Sequence, residues 1–182
     1  MKFKILLLFI IVFNSCSKKS EFIKGFNCDV ETFSNLERIE DVKNLFSVYY
    51  PDHWKTNFYY DTHQSSIFTA DTTKQLKETT LLDITHISNK IIFDANFLKK
   101  FKSNLSELQL TEIHANKIIF KEKPSFYSEA TGMKNNFKYY VFNLFIKLDE
   151  NNYIHSKIEV YGDVLREERI CKGINLLEKT IF

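Results

Sequence analysis

The chain has 182 residues, 25 basic and 23 acidic side chains and a formal net charge of +2, so no basic surplus points to nucleic acid as a partner. Four glycines and two prolines argue against long low-complexity or disordered stretches. The length suits one domain, and 18 Phe with 9 Tyr can furnish it with a large aromatic core.

Lys2 and Lys4 precede an unbroken apolar run over residues 5–13. As a helix that run rises only about 14 Å at about 1.5 Å per residue. A bilayer core is about 30 Å thick, so the run fits the apolar region of an export signal and not a permanent span. Ser15 then stands directly before Cys16. A small residue before cysteine at the end of such a run resembles the lipobox of bacterial lipoproteins, and the Lys-, Asn-, Ile- and Phe-rich style is similar to lipoproteins of the Bacteroidota. The resemblance implies removal of residues 1–15 as a signal peptide and palmitate-type acylation of Cys16. The alternative is an ordinary secretory signal cut elsewhere, with Cys16 incidental. Removing residues 1–15 takes away Lys2 and Lys4 and no acid, so the remaining chain is neutral. The expected location is the cell envelope, lipid-anchored through Cys16, in the outer membrane rather than the inner, on either its periplasmic or its surface side.

Residues 16–27 read as a lipidated tether and residues 28–182 as the single domain. Residues 28–45 carry apolar positions spaced near three and read as a short helix or an irregular lead-in. Residues 45–51 read as a strand stopped by Pro51, followed by a loop that holds Trp54. Strands are expected at residues 65–70 and, rich in β-branched side chains, at 79–87. Asp94 can cap a helix running through about Leu108, with Phe97, Leu98, Phe101, Leu105 and Leu108 on one face. Residues 110–121 read as a strand broken at Pro124, and Phe126, Ser128 and Ala130 suggest another.

Residues 137–148 and 153–161 alternate as a hairpin. Its inner face is Tyr140, Phe142, Leu144, Ile146 and Leu148 against Ile154, Ser156, Ile158 and Val160. Pairing Leu148 with Ile154 and Ile146 with Ser156 keeps the faces together, leaving a three-residue loop with Asn152 left-handed. Asp163 can cap a C-terminal helix striped by Ile170, Ile174, Leu177 and Ile181.

Runs of strands broken by one mid-chain and one terminal helix are an α+β pattern, an antiparallel sheet flanked by helices. The residues from Phe46 to Trp54, Phe-Ser-Val-Tyr-Tyr-Pro-Asp-His-Trp, resemble the opening of the PsbP-like family, and the hairpin with its closing helix fits that family's layout. The resemblance covers about residues 44–182. The family shares no catalytic set, so it implies a binding or accessory role.

Cys28 and Cys171 remain once Cys16 is acylated. In an oxidising envelope an even pair suggests a disulfide, the alternative being two buried thiols. His53, His63, His86, His114 and His155 form no tight pair, so no metal site is signalled. There is no Gly-x-Ser-x-Gly elbow and no glycine loop for phosphate, so no catalytic residue or cofactor is assigned. The hairpin's outward face, with Tyr139, Phe145, Tyr153, His155 and Tyr161, has the composition of a protein contact. The other readings of that face are a surface covered by a helix and aromatic cross-strand pairs that only stabilise the sheet. Trp54 is a second candidate anchor, although tryptophan more often plugs a core.

Three functions are consistent with this reading. The leading one is a non-catalytic envelope lipoprotein that binds or steadies a partner protein. The second is an immunity-type lipoprotein that blocks a delivered toxin. The third is a small-ligand carrier or enzyme, which a deep pocket with convergent polar groups would favour.

Overall fold

A computed structural model describes residues 21–28 and 33–182. The signal expected at residues 1–15 and the acylation site Cys16 lie outside the described residues. In chain order the elements are α1 (Glu21–Gly25), β1 (Leu36–Glu40), β2 (Ser47–Pro51), β3 (Lys55–Tyr60), β4 (Gln64–Ala70) and β5 (Thr80–Ile87). There follow α2 (Ala95–Glu107), β6 (Thr111–Phe120), β7 (Lys123–Lys134), β8 (Phe137–Lys147), β9 (Tyr153–Tyr161) and α3 (Arg166–Leu177). Among the described residues no helix is long and apolar enough to cross a membrane.

Seven strands form one antiparallel sheet in the order β3-β4-β5-β9-β8-β7-β6, and β1 pairs with β2 in a separate ribbon. This is the expected α+β architecture with its C-terminal helix. β8 and β9 lie near the middle, so their alternation decides what each face of the sheet carries. One face presents Phe142, Leu144, Ile146, Ile154, Ile158 and Val160, all 0–1% exposed. α3, α1 and the β1–β2 ribbon cover it with Ile174, Leu177, Phe22, Val48 and Tyr50. α2 packs on the opposite face.

The faces sort as the alternation requires, but the register differs from expectation by two residues. Ile146 pairs with Ile154 and Leu144 with Ser156, so parity is kept. The connection is also longer. Leu148 and Asp149 both donate their N–H groups to Asn152 O, and the Asp149 carboxylate accepts from Asn151 N. That carboxylate organises the turn, and Asn152 is not left-handed. Left-handed pairs close two other, tight hairpins instead: Lys121 and Glu122, φ 48° and 63°, between β6 and β7, and Asn135 and Asn136, φ 51° and 64°, between β7 and β8.

Four more expectations are corrected. The tether ends earlier than residue 27, because α1 buries Phe22 against Phe120 at a ring separation of 4.8 Å. Residues 36–40 are a strand, as are residues 55–60. Pro124 belongs to β7: it pairs with Ile119 but lies one residue beyond the last β7–β8 pair, Ser125 with Ile146, where its missing N–H costs no ladder bond. Asp163 does not cap α3. It accepts from the Tyr140 hydroxyl at 2.6 Å and pairs with Lys138 at 2.8 Å, while Leu165 in a left-handed conformation begins the helix.

Cys28 is bonded to Cys171, which ties the end of the α1 segment to the middle of α3 across 143 positions. Buried Arg169 adds a second tie, donating to the carbonyls of Thr79, Tyr161 and Gly162. Trp54 is core, 7% exposed and packed on Phe33 and Tyr50.

α3 sits close to β9 at Gly173. A Cβ there would lie 2.8 Å from Ile158 Cγ2, and Ile158 is fully buried. Alanine is the better helix former by about 1 kcal/mol, yet overpacking costs about 1–3 kcal/mol. Gly173→Ala is therefore expected to destabilise the domain, read as a lower denaturant midpoint with an unchanged slope.

Candidate functional site

The outward face of the β8–β9 hairpin carries Tyr139, Val141, Asn143 and Phe145 on β8, with Tyr153, His155, Lys157, Glu159 and Tyr161 on β9. α2 reaches this face through an aromatic cluster. Phe97 and Phe101 approach Phe126 and Phe145 with ring centroids 5.2–5.7 Å apart, mostly edge to face. Each such pair contributes about 0.5–1.5 kcal/mol beyond its buried area. Asp94 starts α2 by accepting from Phe97 N at 2.9 Å, as its position predicts.

The helix covers only part of the face. Toward the far end of α2 a cavity of about 580 Å³ remains between helix and sheet. Phe101, Leu105 and Leu108 form its roof, and Val141, Asn143, Phe145, His155, Lys157 and Glu159 its floor. Leu108 and Met133, 66% and 60% exposed, rim the mouth beside Lys134. Apart from Asn104 on α2, the walls are thus apolar, and the other polar groups lie on the floor and at the mouth. The hairpin face combines the readings its composition allows: α2 covers part of it, Tyr139 and Tyr161 form an aromatic cross-strand pair at 5.0 Å, and part stays open. Tyr139, Phe145 and Tyr161 are buried at 5%, 9% and 4%, while Tyr153 and His155 are half-buried. Tyr139, Phe145 and His155 border the cavity; Tyr153 lies on a neighbouring groove under the start of α2. Trp54 takes no part in it.

The charges on the floor are paired. Lys157 Nζ stands 3.0 Å from Glu159 and 3.5 Å from Asp83. Burial alone would lower the Lys157 pKa and raise that of Glu159, but their mutual attraction, with Asp83 on one side and Lys134 on the other, reverses both. Lys134 Nζ lies 4.7 Å over the Tyr139 ring, 5.6 Å over Tyr161 and 3.8 Å from Glu159. With Asp83 included, the two lysines balance the two carboxylates, and Lys134 is the charge at the mouth.

His155 is the imidazole of the site. Its ring stacks on Phe145 at 4.1 Å and 9°, and Nε2 meets Asn143 Oδ1 at 3.0 Å. With the Asn143 oxygen as acceptor, Nε2 carries the proton and Nδ1 is left as an acceptor. Burial, helped by the Lys157 charge, pushes its pKa well below the ordinary histidine value. His155 and Glu159 share a strand face as the alternation implies, yet each is engaged elsewhere. Among the described residues no group of three His, Cys, Asp or Glu is placed to hold a metal. The cavity lining contains no serine, threonine or cysteine.

Alternation did place the polar floor residues on one face. It could not show that α2 leaves them uncovered. The available signal was Asn143, His155, Lys157 and Glu159 interrupting an otherwise aromatic face opposite a helix stripe.

Several solved structures share this fold at low identity. The solution structure of cyanobacterial PsbP (CyanoP) from Synechocystis sp. aligns with a TM-score of 0.59 at 11% identity, over 82% of this chain and 94% of that one. A crystal structure from Bacteroides thetaiotaomicron gives 0.51 at 13% identity over 81% of this chain, which spans 48% of that longer one. LpqN of Mycobacterium tuberculosis, a protein involved in cell envelope biogenesis, gives 0.51 at 11% identity, over 80% and 89%. At these identities the likeness shows the PsbP-like fold alone. No protein-family profile and no curated protein matches the sequence.

A histidine neutral in the fold and free to protonate when unfolded makes stability depend on acid. The unfolded chain binds the extra proton below about pH 6.5, so stability is full above that value and declines as pH falls. Buried His86 acts in the same direction. His155→Gln should remove one share of the slope between about pH 6 and 4.5, at most about 1.4 kcal/mol per pH unit. Urea unfolding at several pH values, variant against wild type, checks this.

Proposed function

We propose that this chain is an envelope-anchored, non-catalytic lipoprotein whose domain binds a small amphiphilic molecule in the cleft between α2 and the sheet. The carrying observation is the cavity of about 580 Å³, with apolar walls, a polar floor and a lysine at its mouth. Its volume falls in the range of small-molecule sites, about 300–1,000 Å³. An apolar body would lie along Phe101, Leu105, Val141 and Phe145. A hydrogen-bonding or anionic group would meet Lys134 at the rim or the Asn143–His155 pair on the floor.

The lining supports binding over catalysis. It offers no hydroxyl or thiol nucleophile beside a free base, and the Tyr139 hydroxyl is bonded to Glu159. The anchor at Cys16 rests on the lipobox resemblance, and the involvement of LpqN in envelope biogenesis agrees with an envelope role for the fold. A partner protein or a delivered toxin would need a broad accessible surface. The tyrosine face that suggested one is largely buried, so the small molecule is the reading this geometry favours.

Titration of residues 17–182, which include every described element, with the fluorescent amphiphile anilinonaphthalene sulfonate is the test. Micromolar saturable binding is expected. Val141→Trp, which fills the cleft, should weaken it at least tenfold, and Lys134→Glu severalfold. Thermal melts confirm that each variant is folded. Equal binding by both variants and wild type would place the dye elsewhere and remove the proposal.

A further inference from the structure

The ends of the sheet are chemically and topologically distinct. At one end lie the β6–β7 turn at Lys121 and Glu122, the β8–β9 turn, the β3–β4 turn and residues 178–182. α1 begins at this same end. Phe22 packs on Phe120, the last residue of β6, whereas Phe26, one turn later, packs on Tyr127 further along β7. Glu21, where the described segment begins, therefore lies beside the β6–β7 turn, and the Cys28–Cys171 bond fixes the other end of that segment to α3.

The link is short. Five residue steps separate Cys16 from Glu21, a reach of at most about 18 Å in any conformation. A domain held by acyl chains on Cys16 must keep this end within that distance of the bilayer surface.

An exposed apolar strip lies there. Ile119, next to Phe120, is 67% exposed. Lys121 donates to Thr180 O, which places Ile181, 49% exposed, at this same end of the sheet but on the α3 side, where Ile119 projects from the opposite face. Ile181 bridges to Ser47, and Leu45 lies with it on one shallow groove. Leu45 and Val42, 41% and 48% exposed, project from a turn held by the Asp41 carboxylate, which accepts from the backbone N–H groups of Lys43, Leu45 and Phe46. Lys43 donates to Asp61 O and so joins this turn to Tyr60, 64% exposed. Aliphatic side chains with a tyrosine and lysine stems match the polar–apolar boundary of a bilayer, where such groups bury their carbon and keep their heads wet. Exposed apolar residues occur at the opposite end too, but the tether attaches at this end and holds it the nearer of the two to the point of anchoring.

We propose that the strip from Ile119 through Ile181, Leu45 and Val42 to Tyr60 rests in the headgroup region of the anchoring bilayer. This rests on the anchor reading above. The cleft mouth, at Leu108 and Met133 beside the β7–β8 turn, then faces away from the membrane, and its ligand arrives from the aqueous side.

The test uses the acylated full-length protein in vesicles of phosphatidylethanolamine and phosphatidylglycerol with brominated acyl chains, which quench nearby tryptophan. Native Trp54 is buried and serves as the background. Ile119→Trp should be quenched at least twofold more than wild type, and Phe137→Trp, at the opposite end, no more than wild type. Equal quenching of the two variants, or none at either, overturns the orientation while mass spectrometry of Cys16 still upholds the anchor. An unmodified Cys16 would overturn the anchor and the orientation with it.

Discussion

The registration of β8 on β9 governs the rest of this structure. These two strands lie near the centre of the sheet, and their side chains divide strictly between its faces. A slip of one residue would turn one strand over against the other: with β8 held in place, Ile154 and Ile158 would face outward and Lys157 and Glu159 would enter the core. Burying those charges unpaired would cost several kcal/mol, in addition to the lost apolar burial. A slip of two keeps every side chain on its own face. Parity is therefore specified far more strongly by hydrophobic burial than the length of the turn, which the Asp149 carboxylate selects locally.

Each face is then completed differently. On the apolar face α3 approaches closely because Gly173 has no side chain, and Arg169 and the Cys28–Cys171 bond pin it to distant segments. On the chain-entropy account a loop of 143 residues gives that bond about 5 kcal/mol of stabilisation. On the other face α2 is held by a few aromatic contacts at its first two turns and leaves the central strands open beyond them. Rigidity on one side and an unfilled space on the other are what a preformed small-molecule site requires. Fixing α1 to α3 also fixes Glu21 at the end of the sheet opposite the cleft mouth, which is what allows the proposed anchor and the cleft to be oriented relative to one another.

Much of this was legible in the residues. Strict alternation marked the hairpin and its faces, the Asp94 cap and the Phe97–Phe101–Leu105 stripe marked α2, and the cysteine pair marked the cross-link. What was not legible arose from tertiary context. Residues 55–60 lack clean alternation because they form an edge strand with both faces half-open. The segment at 21–25 is too short to show a period and is helical because Phe22 and Phe26 find Phe120, Phe142 and Tyr127. Asp163 looked like a cap, but Tyr140 and Lys138 compete for its carboxylate and win. The cleft itself depends on where α2 sits across the sheet, which no local pattern records.

The account turns on the claim that the space under α2 is a site and not merely a packing gap. Native mass spectrometry of the protein isolated from its native cells, beside the Val141→Trp variant, tests it most directly. The account predicts a small amphiphile carried by wild type and absent from the filled variant. A bare wild-type protein, or the same added mass on both, would contradict it.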